Sequence, residues 1–275
     1  MSFDNNNNPY DENDVMNSEW QGSTWSDGNY NRSTSFQPAQ NEYGTFHSSA
    51  NDVSKVDFEE NVLAQSFVFM AVALIITAFT SFYVYNSPRL IVNIIMNNSL
   101  FMGLLISELV VVFAANYTVK KNLIVPSAIL FTLYSVINGA TLSIIFVLYT
   151  PASIASTFLV AALMFGAMAV YGLTTKKDLS SMGSLCLMAL LGIILAGVFN
   201  LLIFKSSMLD FGISVLGILI FIGLTAYDTQ KIKNMVYYTN TENVTCIALL
   251  GAIELYLDFI NLFLKLLALF GRRRD

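Results

Sequence analysis

The sequence predicts an all-α fold: a polytopic membrane protein built as a seven-helix bundle. Of its 275 residues, 55% are hydrophobic and only 12% are charged, and the mean hydropathy is +0.59. A soluble domain has roughly a quarter of its residues charged. The apolar residues are grouped in seven long runs, and most of the acidic residues precede the first run. This distribution excludes an acidic globular protein despite the net charge of −5.

Residues 1–61 are predicted to be a disordered, acidic and Asn-rich tail. They contain eleven Asn, and residues 1–60 hold eleven of the 19 acidic residues. Such a composition cannot bury enough apolar surface to offset the conformational entropy of the chain. The polar start also argues against a signal peptide, so the first apolar run is expected to stay as a helix. Residues 62–275 form the predicted seven-helix transmembrane domain.

Seven apolar segments follow the tail, each long enough for a bilayer core, which requires about 20 residues. The connections between them are short, and the one at 150–152 is little more than a turn. Backbone groups in lipid must be satisfied within the segment, so stretches of this length are predicted to be helices. The predicted spans are residues 62–85, 99–117, 123–149, 154–173, 182–204, 211–227 and 244–270.

Basic residues in the short loops predict a multi-pass protein of the cell membrane with a cytoplasmic N-terminus. In that orientation the outside loops hold only Arg89 and Lys205, and the inside loops hold Lys55, Lys120, Lys121, Lys176, Lys177, Lys231 and Lys233. Seven full spans would, however, place Arg272, Arg273 and Arg274 outside, against the same rule. Two explanations are open: the last segment is re-entrant or only partly spanning, or three distal arginines do not override six earlier helices.

Four carboxylates fall within the apolar segments, where each charge costs several kcal/mol and usually faces protein or an aqueous cavity. They are Glu108 in the second segment, Asp228 at the end of the sixth, and Glu254 and Asp258 in the seventh. Each has an alternative role as a hydrogen-bonded group that fixes helix packing. For Asp228, a surface ion pair with Lys231 or Lys233 is a further alternative. Two carboxylates brought together would share a proton and sense pH, or bind a hard cation.

The seventh segment carries a polar stripe on a single helical face. Its members are three or four residues apart: Gly251, Glu254, Asp258, Asn261 and Lys265. A helix facing lipid would not tolerate such a stripe. The seventh helix is therefore predicted to be surrounded by the others, with the stripe toward a partner helix or a pore.

The membrane domain lacks the side chains that most enzymes and metal sites use. The one His, His47, lies in the tail, and Cys186 and Cys246 lie in or beside apolar runs without metal-site spacing. Glycine-rich phosphate loops are absent, and no nucleophile, base and orienting group recur at catalytic spacing. We therefore predict no enzyme activity, no cofactor and no nucleic-acid partner.

Three motifs carry a resemblance to a known family. In chain order they are YGLTTKKDLS at 171–180, AYDTQKI at 226–232 and LYLDFINLFL at 255–264. Together they resemble bacterial members of the Bax inhibitor-1 family, the transmembrane Bax-inhibitor-motif proteins. The resemblance spans about residues 62–271, and three motifs in the expected order make it specific.

This resemblance implies six helices around a central seventh and a pH-sensitive calcium leak. The family's paired aspartates fall on Asp228 and Asp258, which become the expected pH sensor and calcium-binding residues. The family's acidic pore residue falls on Glu108, and a basic latch that holds the aspartates in a closed state falls on Lys120 or Lys121. The chain departs from the family here, because lysine stands where arginine is expected and lacks the bidentate fork of arginine.

Glu254 is a second departure, since a small or neutral residue is usual at its position in the family. It adds a carboxylate one turn from Asp258, where it either repels that carboxylate or supplies an additional oxygen ligand. Because Glu254 and Asn261 share the stripe with Asp258, we assign both, together with Glu108, to the pore or gate.

Three functions from different classes are open at this point. The favoured one is a passive cation path, mainly for calcium, gated by protonation of Asp228 and Asp258. The second is a regulator that binds another membrane protein, such as a membrane-anchored protease. The third is a proton-coupled carrier, which usually shows repeated halves that this sequence lacks. The expected partners are the lipid bilayer, calcium and protons, and in the second case a membrane protein.

Overall fold

Helices account for nearly all of the described chain. The structure is a computed structural model that describes the backbone of residues 43–238 and 244–274 and the side chains of residues 61–235 and 244–274. Within those ranges the only β-structure is an isolated bridge, and a short π-helix, Asn200–Phe204, continues one of the α-helices. The α-helices are α1 (Tyr43–Asn86), α2 (Pro88–Met96), α3 (Asn98–Lys120), α4 (Ile124–Leu142), α5 (Ile145–Leu148), α6 (Pro151–Thr174), α7 (Ser180–Phe199), α8 (Ser207–Tyr238) and α9 (Val244–Phe270).

The predicted tail, residues 1–61, lies outside the described residues as far as residue 42. Helix α1 begins at Tyr43, inside the segment that the sequence assigns to the tail, and continues to Asn86. Disorder of the tail and a domain boundary at residue 62 stay predictions.

Seven helical stretches are long and apolar enough to cross a membrane, which confirms the predicted all-α polytopic fold. Six of them agree with the predicted segments to within three residues at each end. The stretches are Asn61–Asn86, Asn98–Lys120, Ile124–Leu148, Pro151–Thr174, Ser180–Phe204, Ser207–Met235 and Val244–Phe270.

The sixth span is longer than predicted, and this changes the position of Asp228. Helix α8 continues to Tyr238, so Asp228 lies inside the helix rather than at its end, and that prediction was wrong. The local hydropathy falls at Asp228, but the polar residues that follow are buried against protein. The Gln230 side chain accepts a hydrogen bond from the Leu179 amide (2.8 Å) and donates one to the Lys177 carbonyl (2.8 Å). Burial in the bundle therefore keeps this segment helical.

Helix α9 lies at the centre of the bundle, as predicted. In its most apolar stretch 72% of the residues are buried, against 44% in the sixth span and 6% in the fifth. It contacts α3, α4, α6 and α8. Close approach between neighbouring helices depends on small residues, as at Gly139 of α4, where an added Cβ would lie 2.6 Å from the Thr77 carbonyl oxygen of α1.

The residues after α9, 271–274, which we name the C-terminal strap, run along the turn between α5 and α6. The Arg274 amide donates to the Leu148 carbonyl (2.9 Å), and the Thr150 amide donates to the Arg272 carbonyl (3.1 Å). Arg274 Nη1 also donates to the Tyr85 hydroxyl at the end of α1 (2.8 Å). The last span thus ends beside the end of the first. Because α9 is also an unbroken helix of 27 residues, the structure favours a full seventh span over a re-entrant one.

Candidate functional site

A cavity of about 620 Å³ lies between α3, α7, α8 and α9, and we name it the α9 cavity. The sides formed by α3 and α7 are apolar, with residues such as Leu109, Val112 and Leu190. The side formed by α8 and α9 is polar and carries Tyr227, Asp228, Lys231, Glu254, Asp258, Asn261 and Lys265. Five charged side chains in one cavity inside a membrane bundle are a large electrostatic cost, which marks the cavity as the candidate functional site.

The two predicted aspartates meet in this cavity. Asp258 is 5% exposed and Asp228 is half-buried, and their carboxyl groups lie close enough across the interface of α8 and α9 to interact electrostatically. A hydrogen bond between two carboxyl groups forms only when one of them holds a proton and donates it. Asp258 Oδ2 is buried without a hydrogen-bond partner among the described residues. The pair therefore has an oxygen available to a proton or a cation.

Glu254, one turn before Asp258, forms an ion pair with α8. Lys231 Nζ lies 2.6 Å from Glu254 Oε1, and the two side chains are 31% and 21% exposed. Lys233, the other basic residue considered for Asp228, donates instead to the Leu173 carbonyl (3.2 Å). Within the described residues Lys231–Glu254 is the one ion pair, so the predicted alternative of a surface ion pair for Asp228 is not formed.

The first member of the polar stripe on α9 lies apart from the other four. Gly251 packs away from the α9 cavity, because an added Cβ would lie 2.8 Å from both Ile232 and Ser66 side-chain atoms. The four later members line the cavity. The side-chain amide nitrogen of Asn261 donates a hydrogen bond to the Leu257 carbonyl of its own helix (2.8 Å). Asn261 therefore adds a neutral carboxamide to the polar side of the cavity.

Glu108 does not line the α9 cavity, although its neighbour Leu109 does. Its carboxylate interacts with the side chains of Asn138 and Thr141 on α4, and Oε1 is buried without a hydrogen-bond partner in the described chain. Asn138 in turn accepts a hydrogen bond from the Tyr256 hydroxyl of α9 (3.2 Å). Glu108 therefore belongs to a second polar cluster on the other side of α9, separate from the aspartates.

The two latch candidates lie at the exposed end of α3. Lys120 is the last residue of the helix and Lys121 follows it, and the ammonium group of Lys121 lies over the Tyr117 ring, 4.8 Å from its centroid. No contact joins either lysine to Asp228 or Asp258 in the part of the chain that the structure describes. The basic residue beside the aspartates is Lys231, which sequence reasoning considered only as a surface partner. Its spacing of three residues from Asp228 was the signal for a shared helical face.

The loop before α7 is fixed by side-chain to backbone hydrogen bonds. Asp178 Oδ1 accepts from the Ser180 amide (2.9 Å), and hydrogen bonds from Ser180 lower the pKa of this fully exposed carboxyl. An ionised carboxylate at a helix N-terminus also interacts favourably with the helix dipole. With Gln230 bonded to Lys177 and Leu179 in the same loop, two of the three motifs identified in the sequence lie together in space.

Seven membrane-crossing helices, with a central helix that presents acidic residues to an internal cavity, define the class: a polytopic helical membrane protein with a buried acidic site. The chain belongs to the family described as Bax1-I, inhibitor of apoptosis-promoting Bax1, whose model matches residues 59–275. This confirms the resemblance that the three motifs carry.

Relatives of the chain are found in distant bacteria. It is 46% identical over 218 residues to inner membrane protein YbhL of Escherichia coli (strain K12), a match that covers 78% of this chain and 93% of that protein. It is 43% identical over 216 residues to an uncharacterized protein of Borreliella burgdorferi, with 78% and 92% covered. An uncharacterized membrane protein of Streptococcus pyogenes serotype M1 is 40% identical over 210 residues, with 75% and 90% covered.

Proposed function

We propose that the protein is a pH-sensitive calcium leak channel of the bacterial inner membrane, gated by Asp228 and Asp258. The observation that carries this proposal is the proximity of the two carboxyl groups, which line the α9 cavity and interact electrostatically. The name of the Escherichia coli relative supports the inner membrane. We propose no enzyme activity and no resident cofactor; calcium is the transported ion.

The chemistry of the pair accounts for the pH dependence. With one shared proton, a hydrogen bond between the two carboxyl groups holds α8 and α9 together on the polar side of the cavity. When that proton leaves, two adjacent carboxylates repel each other unless a cation neutralises them. Calcium prefers oxygen ligands and accepts six to eight of them in flexible geometry. Carboxylate oxygens of Asp228 and Asp258 and the carboxamide oxygen of Asn261 supply such ligands, and water completes the set.

Calcium flux into proteoliposomes of the purified full chain, measured from about pH 5 to 8, tests the proposal. Asp228→Asn and Asp258→Asn each remove the shared proton, so we expect both to flatten the pH dependence of flux. Asp178→Asn is the matched control, because it removes an exposed carboxylate outside the cavity and should leave the pH profile unchanged. Wild-type pH profiles in both cavity variants would show that the pair is structural.

The same experiment separates the other two functions. Wild-type protein that transports no cation but co-purifies with a membrane protein would favour the regulator. Calcium flux that requires an opposing proton gradient, and stops without one, would favour the carrier. A passive leak needs only the calcium gradient.

A further inference from the structure

Lys265 is a charged residue of the α9 cavity that belongs neither to the aspartate pair nor to the Lys231–Glu254 ion pair. It is half-buried and lies two helical turns beyond Asp258, a rise of roughly 10 Å along α9. Its methylene groups run over Gly217 of α8, where an added Cβ would lie 3.1 Å from Lys265 Cγ. Lys265 therefore packs its methylene groups against α8 and still lines the cavity.

No ion pair neutralises this ammonium group. Among the described residues Lys265 has no carboxylate oxygen within 4.0 Å. Asp210, near the start of α8, is the carboxylate that interacts with it electrostatically. The Asp210 carboxylate is already bonded to Asn200 Nδ2 (2.6 Å), and Asn200 begins the π-helix and also bonds Ser206. Asp210 is therefore held in place by its hydrogen bond with Asn200. Its negative charge offsets the positive charge of Lys265 only in part.

A lysine without an ion pair inside a membrane bundle needs a reason, because its charge is costly there. The cavity gives one. The aspartate pair and Lys231–Glu254 lie toward one end of the polar side, and Lys265 lies toward the end nearer Asp210. An ion that moves between the aspartates and that end passes the ammonium group.

We propose that Lys265 is a fixed positive charge in the ion path that limits the passage of cations, and of divalent cations most strongly. The inference rests on the proposed function and assigns it a selectivity residue. This unit charge acts on a monovalent cation at the aspartates across roughly 10 Å and through water, which changes the passage of that cation roughly threefold. The interaction energy doubles for a divalent ion, so the corresponding factor is about its square, roughly tenfold.

Flux of potassium and of calcium into proteoliposomes tests this inference. We expect Lys265→Gln to raise potassium flux about threefold and calcium flux about tenfold. Lys265→Arg keeps the charge and should leave both fluxes within about twofold of wild type. Lys205→Gln is the matched control, because it removes an exposed lysine from the turn just before α8, outside the cavity.

The outcomes separate this inference from the function it rests on. Absence of calcium flux in the wild type contradicts the proposed function itself. Calcium flux in the wild type that is unchanged or reduced in Lys265→Gln overturns the role of Lys265 alone, as does an equal gain for both ions. Lys265→Met, whose side chain matches the packing over Gly217, gives the same comparison if the Gln variant does not fold.

Discussion

The ion pair between Lys231 and Glu254 makes a quantitative prediction about how α8 and α9 are held together. Pairs on a protein surface contribute about 0–1 kcal/mol, whereas removing one partner of a fully buried pair costs about 3–5 kcal/mol. Here Lys231 Nζ lies 2.6 Å from Glu254 Oε1 and the side chains are 31% and 21% exposed, so the burial of this pair is intermediate between those two cases. We therefore expect a coupling free energy of about 1–2 kcal/mol between the two side chains.

A double-mutant cycle measures that coupling. Lys231→Met and Glu254→Met each leave one charge unpaired, and each should lower the Tm of the protein in detergent by about 3–6 °C. The double variant replaces the pair by two apolar side chains, so its Tm should be no lower than that of either single variant. Circular dichroism at 222 nm is the suitable signal, because both tryptophans, Trp20 and Trp25, lie in the predicted tail. If the Tm of the double variant falls by the sum of the two single decreases, the coupling is refuted.

The same two variants act on the proposed gate in opposite directions. In Glu254→Met the Lys231 ammonium group is released beside Asp228, where a positive charge favours two ionised carboxylates. The flux transition should then move to lower pH by about one unit. In Lys231→Met the positive charge is lost while Glu254 stays, so the transition should move to higher pH. Shifts of the same sign in both variants would contradict this electrostatic account.

Two further predictions concern the latch and the C-terminal strap. If Lys120 or Lys121 neutralises the aspartates in a closed state, changing both to Gln should raise basal calcium flux several-fold; unchanged flux would leave them as positive-inside anchors. Arg274→Ala removes hydrogen bonds to the Tyr85 hydroxyl and the Phe146 carbonyl, and should cost about 1–2 kcal/mol of stability, seen as a lower Tm, while Arg273→Ala serves as its control.

Local sequence predicted the spans because the signal for a membrane helix is an average over about 20 residues, and a few polar positions do not change it. The same averaging failed at Asp228. The helix continues past it because Gln230 binds the backbone of Lys177 and Leu179, about 50 residues away along the chain. A contact of that kind depends on the packing of α6, α7 and α8, and no local pattern reports it.

In the candidate site too, local sequence predicted some features and missed those that depend on packing. Spacing along α9 placed Glu254, Asp258 and Asn261 on one face correctly, because the period of a helix is fixed. It gave no information about which way α3 turns about its axis, and Glu108 faces α4 rather than the α9 cavity. The sequence likewise did not identify the partner of Glu254, which depends on how α8 and α9 pack together. The rotation of each helix about its own axis depends on tertiary packing, which the local sequence does not report.

Helix α9 carries two polar faces that differ in how their polar groups are hydrogen-bonded. This difference distinguishes groups that serve helix packing from groups that serve the proposed function. Tyr256, two residues from Asp258 and so nearly opposite it around the helix, is fully buried, and its hydroxyl bonds Thr77 (2.6 Å) and Asn138 (3.2 Å). Those three groups are neutral and are linked through the Tyr256 hydroxyl, which is what helix packing in lipid requires, and the Glu108 carboxyl group adjoins them at Asn138. Asp258 instead keeps a buried carboxyl oxygen without a partner. An asparagine would serve packing at lower cost, so Asp258→Asn should fold normally and lose only the pH dependence.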